Sequence, residues 1–303
     1  MRVSRWGWSS YETTEARASE GVIIGRVADV VPDRTDAEII TVNSGTRVDG
    51  ALLDRAPSAR LVLTTTSGFD HLDIDAITAR GIVAGRCPLA RRDAVVETTL
   101  ALLLDGIRRH RPLSRASQEG RWVRGQLPDL GMGLLRGATV GVVGLGVIGQ
   151  AMAGILRALG VTVVGADPDV TLPGVTAIPL AEMAACCDAV TLHCRLDTGS
   201  RGMINGDWLS RCRGTVLVNT ARGGLVDVEA AVSAVHDRRL SYLGLDVFPK
   251  EPWAGLAESD HPNIAYLPHA AGFHVGLNAA VATELEASIK RFVAGEPIPH
   301  RVA

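Results

Sequence analysis

Three positions in the second half of the chain carry the side chains that a carbonyl reduction needs. TVLVNTARGG places Arg222 just beyond an apolar run, YLGLDVFPKEP places Glu251 in a loop after another, and NIAYLPHAAG places His269 directly after a third. A guanidinium can hold a carboxylate and polarise an adjacent carbonyl. An imidazolium can deliver a proton to the developing alkoxide. A neighbouring carboxylate keeps that imidazole oriented. Taken singly, such an arginine is ordinarily solvated, such a histidine structural and such a glutamate a surface residue. With a nicotinamide alongside, the three together describe hydride transfer between a 2-oxo acid and a 2-hydroxy acid.

A dinucleotide site is the most specific signal. In ATVGVVGLGVIGQAMAGILRALGVTVVGADPD an apolar strand leads into Gly144-x-Gly146-x-x-Gly149, and a helix follows at once. The first glycine allows the tight turn, the second lets the backbone approach a pyrophosphate, and the third lets helix and strand pack closely. The helix N-terminus then offers free N–H groups to the phosphates. Asp167 ends the next apolar run, near the spacing of a ribose-binding acid. Its carboxylate would repel a 2′-phosphate, and Pro168 and Asp169 bring no cation to welcome one. NAD is therefore favoured over NADP. A methyltransferase or another nucleotide binder is the competing reading of the glycine turn.

These residues must sit at strand ends, and the rest of the chain supplies the strands. Short β-branched runs alternate with helical segments, which argues for an α/β fold with parallel sheets. In the first third, strands are expected at 22–24, 38–42, 60–64 and 82–84, with helices at 50–55 and 74–80. The apolar run 94–107 reads as a buried or interface helix, and 111–133 as polar and irregular, with Trp122 between two arginines. Further strands are expected at 139–143, 162–166, 189–193, 215–219, 242–247 and 264–267. An amphipathic helix over 277–293, ended by Gly295, closes the chain.

Composition excludes several classes. The 303 residues are 47% hydrophobic and 21% charged, a globular balance with room for about two domains. Thirty-one basic against thirty-three acidic residues leave a formal charge of −2, with no global pull toward nucleic acid or an anionic membrane. Five cysteines without CxxC or Cys/His spacing point away from zinc and toward reduced thiols. No metal is expected. The opening MRVSRWGWSS lacks the apolar core of a signal peptide, and the scattered thiols set the expectation of a cytoplasmic location.

GVVGLGVIGQ, VNTARGGLVD, LDVFPKEP and PHAAG, in this order and spacing, resemble the D-isomer-specific 2-hydroxyacid dehydrogenase family. TTTSGFDHLDIDAITARGI and VVETTLALLL extend the likeness over nearly the whole chain past about residue 60. The resemblance implies two Rossmann-like/flavodoxin-like domains with parallel sheets and an active site in the interdomain cleft. It divides the chain into a substrate-binding domain, 1–93 completed by 276–303, and an NAD-binding domain, 94–275. It implies that Arg222 binds and polarises the substrate, that His269 is the acid/base and that Glu251 is its partner. Asp246 would contact the nicotinamide carboxamide, and the backbone of Ser67 and Gly68 the substrate carboxylate. Gly144, Gly146, Val147, Ile148, Gly149, Asp167, Thr220 and Gly272 complete the expected cofactor set. A homodimer is implied, built on 94–107 and the Trp122 arm.

The departures concern specificity. After Pro88 relatives often carry small residues and an asparagine, whereas this chain has Leu89, Ala90, Arg91 and Arg92. Arg91 could bind a second anion, so a reductase for phosphonate- or phosphate-bearing 2-oxo acids is the first alternative. Arg195 stands where many relatives have proline and could reach the cofactor. His71 replaces a common asparagine. Ser67 occupies the place of the lysine expected in the phosphite-oxidising branch and disfavours that reaction. A non-catalytic, NAD-sensing scaffold is the second alternative, and the presence of Arg222, Glu251 and His269 argues against it.

Overall fold

The computed structural model describes residues 1–6, 23–28, 33–257 and 261–303. The chain runs through β1 (Arg2–Trp6), β2 (Ile23–Ala28), β3 (Ile39–Val42), α1 (Gly50–Leu53), β4 (Leu61–Thr64), α2 (Ile74–Ala79) and β5 (Val83–Arg86). Helices α3 (Leu89–Arg108) and α4 (His110–Gln118) follow. Then come β6 (Thr139–Val143), α5 (Val147–Ala158), β7 (Thr162–Ala166), β8 (Thr176–Ala177), α6 (Leu180–Cys186), β9 (Ala189–Leu192), α7 (Gly206–Ser210), β10 (Thr215–Asn219) and α8 (Val228–His236). The last elements are β11 (Leu240–Leu245), β12 (Ile264–Tyr266) and α9 (Leu277–Val293). Two units result, one of Met1–Arg92 with Phe273–Ala303, the other of Asp93–Gly272.

The first unit holds a parallel sheet in the order β2-β1-β3-β4-β5. Successive side chains of a strand point to opposite faces, so Ile39 and Leu61 serve one core while Ile40 and Val62 serve another. The first face receives the apolar stripe Leu277, Val281, Leu285 and Ile289 of α9. The second receives Leu53 of α1 and Ile77 of α2. The second unit holds a parallel sheet in the order β12-β11-β10-β9-β6-β7-β8. One of its faces packs on Val96, Leu103 and Ile107 of α3 and Met152 and Leu156 of α5. The other packs on Met183 of α6, Trp208 of α7 and Ala231 of α8. Because the strands are parallel, their C-terminal ends share one edge, where open α/β sheets bind ligands. The fold is therefore α/β with two parallel sheets.

Several elements differ from the sequence expectation. β1 was not expected: RVSRW is short and half polar, yet it takes an inner place in its sheet and buries Val3, Ser4, Arg5 and Trp6. The expected strand at 22–24 is found from Ile23, residue 22 lying outside the described residues. The segment 111–133 is not irregular throughout. It contains α4 and a 3₁₀ turn, Arg124–Leu130. Pro112 is tolerated there because it lies in the first helical turn. Arg115 also meets Glu119 one turn later, at 3.0 Å. α3 starts at Leu89, earlier than its apolar run, because the Glu284 carboxylate of α9 accepts from the N–H groups of Leu89 (3.1 Å) and Ala90 (2.7 Å). Such a cap comes from far along the chain and satisfies donors that a helix start leaves open.

α3 is tied to the strands by polar bonds as well as by packing. Tyr242 Oη donates to Asp105 Oδ2 at 2.7 Å. Burial, with Asp105 beside it, pushes the phenol above its ordinary range, so it stays the donor. Tyr242→Phe is expected to cost about 1.5–3 kcal/mol, the worth of a hydrogen bond to a charged group. Urea unfolding of the two chains checks this, with an unchanged midpoint counting against it.

Candidate active site

The glycine turn is built by steric necessity. Gly144 follows β6 with φ +89°, and a Cβ there would lie 2.5 Å from the Cys194 nitrogen. A Cβ on Gly149 would lie 1.9 Å from the Gly144 oxygen. Gly146, at the N-cap of α5, faces open space within 4 Å of a built Cβ. The turn is thus closed at its first and third glycines and open at its second, which fits a pyrophosphate approaching there. Val147 and Ile148 open α5 behind it. Asp167 follows β7 directly. Its Oδ2 accepts from the Leu145 N–H at 2.7 Å, and its Oδ1 from the N–H groups of Asp169 and Val170, each at 2.9 Å. The carboxylate therefore fastens the glycine turn to the end of β7.

Past the ends of β11 and β12 two of the sequence-predicted residues, Glu251 and His269, come together. His269 Nδ1 meets Glu251 Oε2 at 2.7 Å. A carboxylate only accepts, so Nδ1 carries hydrogen and Nε2 is left for chemistry. Glu251 Oε1 accepts from the Phe248 N–H at 3.0 Å, which fixes the second oxygen. The His269 side chain is 53% exposed and that of Glu251 36%. Arg222 precedes a 3₁₀ turn, Gly223–Leu225, and its Nη1 donates to the Ala221 carbonyl at 2.8 Å. A Cβ on Gly223 would lie 1.9 Å from the Phe248 carbonyl carbon. The Arg222 and Glu251 loops therefore touch through a contact that only glycine allows.

Asp246, expected at the nicotinamide carboxamide, follows β11 directly. It is buried, and its two oxygens accept from the N–H groups of Ala270 (2.7 Å) and Ala271 (3.0 Å). Its carbonyl accepts from the His269 N–H at 2.8 Å. Burial pushes this carboxyl above the usual carboxylate range, and the two N–H donors pull it back. Asp246 thus holds the His269 loop, where His269 sits at φ +57°. Thr220 is anchored too. Thr99 Oγ1 donates to the Val95 carbonyl at 2.7 Å, so its contact with Thr220 Oγ1 at 2.8 Å uses the Thr220 hydrogen. Gly272 ends the second unit, one residue past Ala271.

The remaining predicted residues lie in the first unit. Ser67 and Gly68 follow β4, with Ser67 Oγ 3.5 Å from the Pro88 carbonyl. Arg91 Nη1 donates to the Thr65 carbonyl. His71 Nε2 lies 2.9 Å from Thr64 Oγ1. In the second unit, exposed Arg195 pairs with Asp197 at 3.0 Å. Sequence reasoning missed Asn219, which is fully buried. Its Nδ2 donates to the Arg222 carbonyl at 2.9 Å and its Oδ1 accepts from the Ala221 N–H at 3.0 Å. The available signal was an amide side chain closing an otherwise apolar strand. Thr99 and Arg86 were missed as well, each hidden inside a run that packing alone explains.

Residues 100–271 match the family model described as the NAD binding domain of D-isomer specific 2-hydroxyacid dehydrogenases. The chain belongs to this family. It is similar to D-3-phosphoglycerate dehydrogenase of Mycobacterium bovis, at 31% identity over 96% of this chain and 55% of that protein. The chain thus spans about half the length of the curated relatives it matches. Among solved structures it resembles an NADPH-dependent glyoxylate/hydroxypyruvate reductase of Sinorhizobium meliloti in complex with NADP and malonate. The TM-score is 0.81 and the identity 28%, over 100% of this chain and 96% of that one. It also resembles D-lactate dehydrogenase from Aquifex aeolicus complexed with NAD and lactic acid. There the TM-score is 0.77 and the identity 26%, over 97% of this chain and 96% of that one.

His193, just past β9, lies behind the family's glycine turn, its Cβ 3.5 Å from a Cβ built on Gly149. Its Nε2 lies 2.8 Å from Thr191 Oγ1. Burial pulls its imidazole down to about 4. An unfolded histidine takes its proton near 6.5. Below about 6.5 the unfolded chain therefore binds a proton that the folded chain refuses, and the stabilisation is lost as pH falls toward 4. Urea unfolding between pH 7.5 and 5 is expected to show a steeper loss of stability in the wild type than in His193→Gln. Equal slopes would count against the assignment.

Proposed function

We propose that the chain reduces small 2-oxo acids to D-2-hydroxy acids with NADH. The observation that carries this reading is the Glu251–His269 contact at 2.7 Å, on the strand-end edge that also presents Arg222. NADH, when bound, supplies the hydride. The glycine turn and Asp167 would hold it, and the negative charge of Asp167 favours the cofactor without a 2′-phosphate. Arg222 binds the substrate carboxylate and polarises the carbonyl. His269, protonated and held by Glu251 through Nδ1, gives the Nε2 proton to the carbonyl oxygen as the alkoxide forms, and is left neutral. Ser67 and Gly68 would bind the carboxylate through their backbone N–H groups.

Relatives named for 3-phosphoglycerate, for glyoxylate and hydroxypyruvate, and for lactate support a small 2-oxo or 2-hydroxy acid as substrate. A homodimer belongs to this proposal, supported by Trp122, 84% exposed in the second unit. A cytoplasmic setting also belongs to it, supported by five free cysteines. No described helix is long and apolar enough to cross a membrane.

NADH oxidation across glyoxylate, pyruvate, hydroxypyruvate, oxaloacetate and 3-phosphohydroxypyruvate tests the reading. Turnover of at least one is expected. In His269→Gln, kcat/KM should then fall on the order of 10²–10⁴-fold with NADH still bound. NADH binding without turnover of any acid by the wild type would support the scaffold reading instead.

A further inference from the structure

The loop after β4 is held by its carbonyls. Four successive carbonyls are occupied by the chain's own donors. Thr65 O accepts from Arg91 Nη1, and Thr66 O from the Cys87 N–H at 3.2 Å. Ser67 O accepts from Arg86 Nη1 at 2.9 Å, and Gly68 O from Thr66 Oγ1 at 2.8 Å. The N–H groups of Ser67 and Gly68 donate to no protein acceptor among the described residues. In a trans peptide the carbonyl and the N–H point opposite ways. Holding Ser67 O therefore aims the Gly68 N–H away from Arg86, and holding Thr66 O aims the Ser67 N–H away from Cys87. Consecutive open N–H groups with their carbonyls turned back are the donors from which backbone anion sites are built.

Arg86 is well placed to hold that arrangement. It ends β5, in register with Thr64 at the end of β4. Its guanidinium lies over the Phe69 ring, 5.5 Å from the centroid. Its Nε is buried and has no hydrogen-bond partner among the described residues. Burial lowers the guanidinium's proton affinity and the Glu284 carboxylate offsets this.

We propose that Arg86, seconded by Arg91, is a positioning residue that clamps the Thr65–Gly68 carbonyls so that the Ser67 and Gly68 N–H groups stand ready for the substrate carboxylate. This rests on the reading of the chain as a 2-oxo acid reductase. Both arginines act through the loop, not on the reacting atoms. The clamp therefore serves every 2-oxo acid alike and does not select a second anionic group.

Arg86→Met and Arg86→Lys, with Arg91→Met, test the clamp in the full chain. Arg86→Met should raise KM about tenfold for pyruvate and oxaloacetate alike, the size of one lost charged hydrogen bond. NADH affinity should hold and kcat should move less. Arg86→Lys, which keeps a cationic donor, should recover most of the loss. Arg91→Met should act in the same direction and combine with Arg86→Met less than additively, because both hold one loop. An unchanged KM overturns the clamp. So does a loss confined to oxaloacetate, which would make the arginines ligands of a second anion. If the wild type reduces no 2-oxo acid, the functional reading fails and hydrogen exchange judges the clamp alone. The Cys87 amide should exchange about tenfold faster in Arg86→Met. An unchanged rate overturns the proposal there too, and the milder Arg86→Lys serves if the methionine chain does not fold.

Discussion

The arrangement at the strand ends of the second unit depends on a single buried carboxylate. Asp246 accepts from two consecutive N–H groups, those of Ala270 and Ala271, and its own carbonyl takes the His269 N–H. Three bonds from one residue thus fix a loop in which His269 adopts a positive φ. A non-glycine residue keeps such a backbone only where its surroundings over-determine it. Asp246 is itself placed by β11, whose neighbour β10 ends in Asn219, and the Asp246 N–H donates to the Asn219 carbonyl at 3.0 Å. Arg222, Glu251 and His269 therefore share one polar framework.

The dinucleotide turn and the polar framework are each closed by a glycine. At Gly149 and Gly223 the neighbouring backbone stands where a side chain would begin. The first closes helix α5 onto its turn. The second presses the Arg222 loop against the loop that carries Glu251. From α3, Thr99 fixes the Thr220 hydroxyl and Asp105 fixes Tyr242. Glu284 caps the other end of α3 within the first unit. A helix that reads in sequence as an apolar run thus carries the polar bonds that set the strand ends.

Much of this was legible because the signals are local. The glycine spacing, the apolar strands and the placing of Arg222, Glu251 and His269 after them all follow from short-range rules. Asp246 is legible as a polar residue at a strand end, but its partners are backbone groups of Ala270 and Ala271, whose identity carries no signal. The early start of α3 depends on Glu284, and the set of the 65–68 loop depends on Arg86, both distant in sequence. β1 was hidden because three of its five residues are polar, and only its inner place in the sheet explains their burial. α4 was hidden because its composition is that of a loop, with a proline in its first turn.

Asp246→Asn tests the dependence on this carboxylate most directly. Asparagine keeps the size but presents an NH₂ group to one of two N–H donors, so the His269 loop must shift. The expected result is a folded chain that binds NADH while its kcat/KM for the proposed 2-oxo acid reduction falls about 10²-fold, the cost of misplacing an acid by about 1 Å. An unchanged kcat/KM in a folded Asp246→Asn chain would contradict the dependence of the site on Asp246.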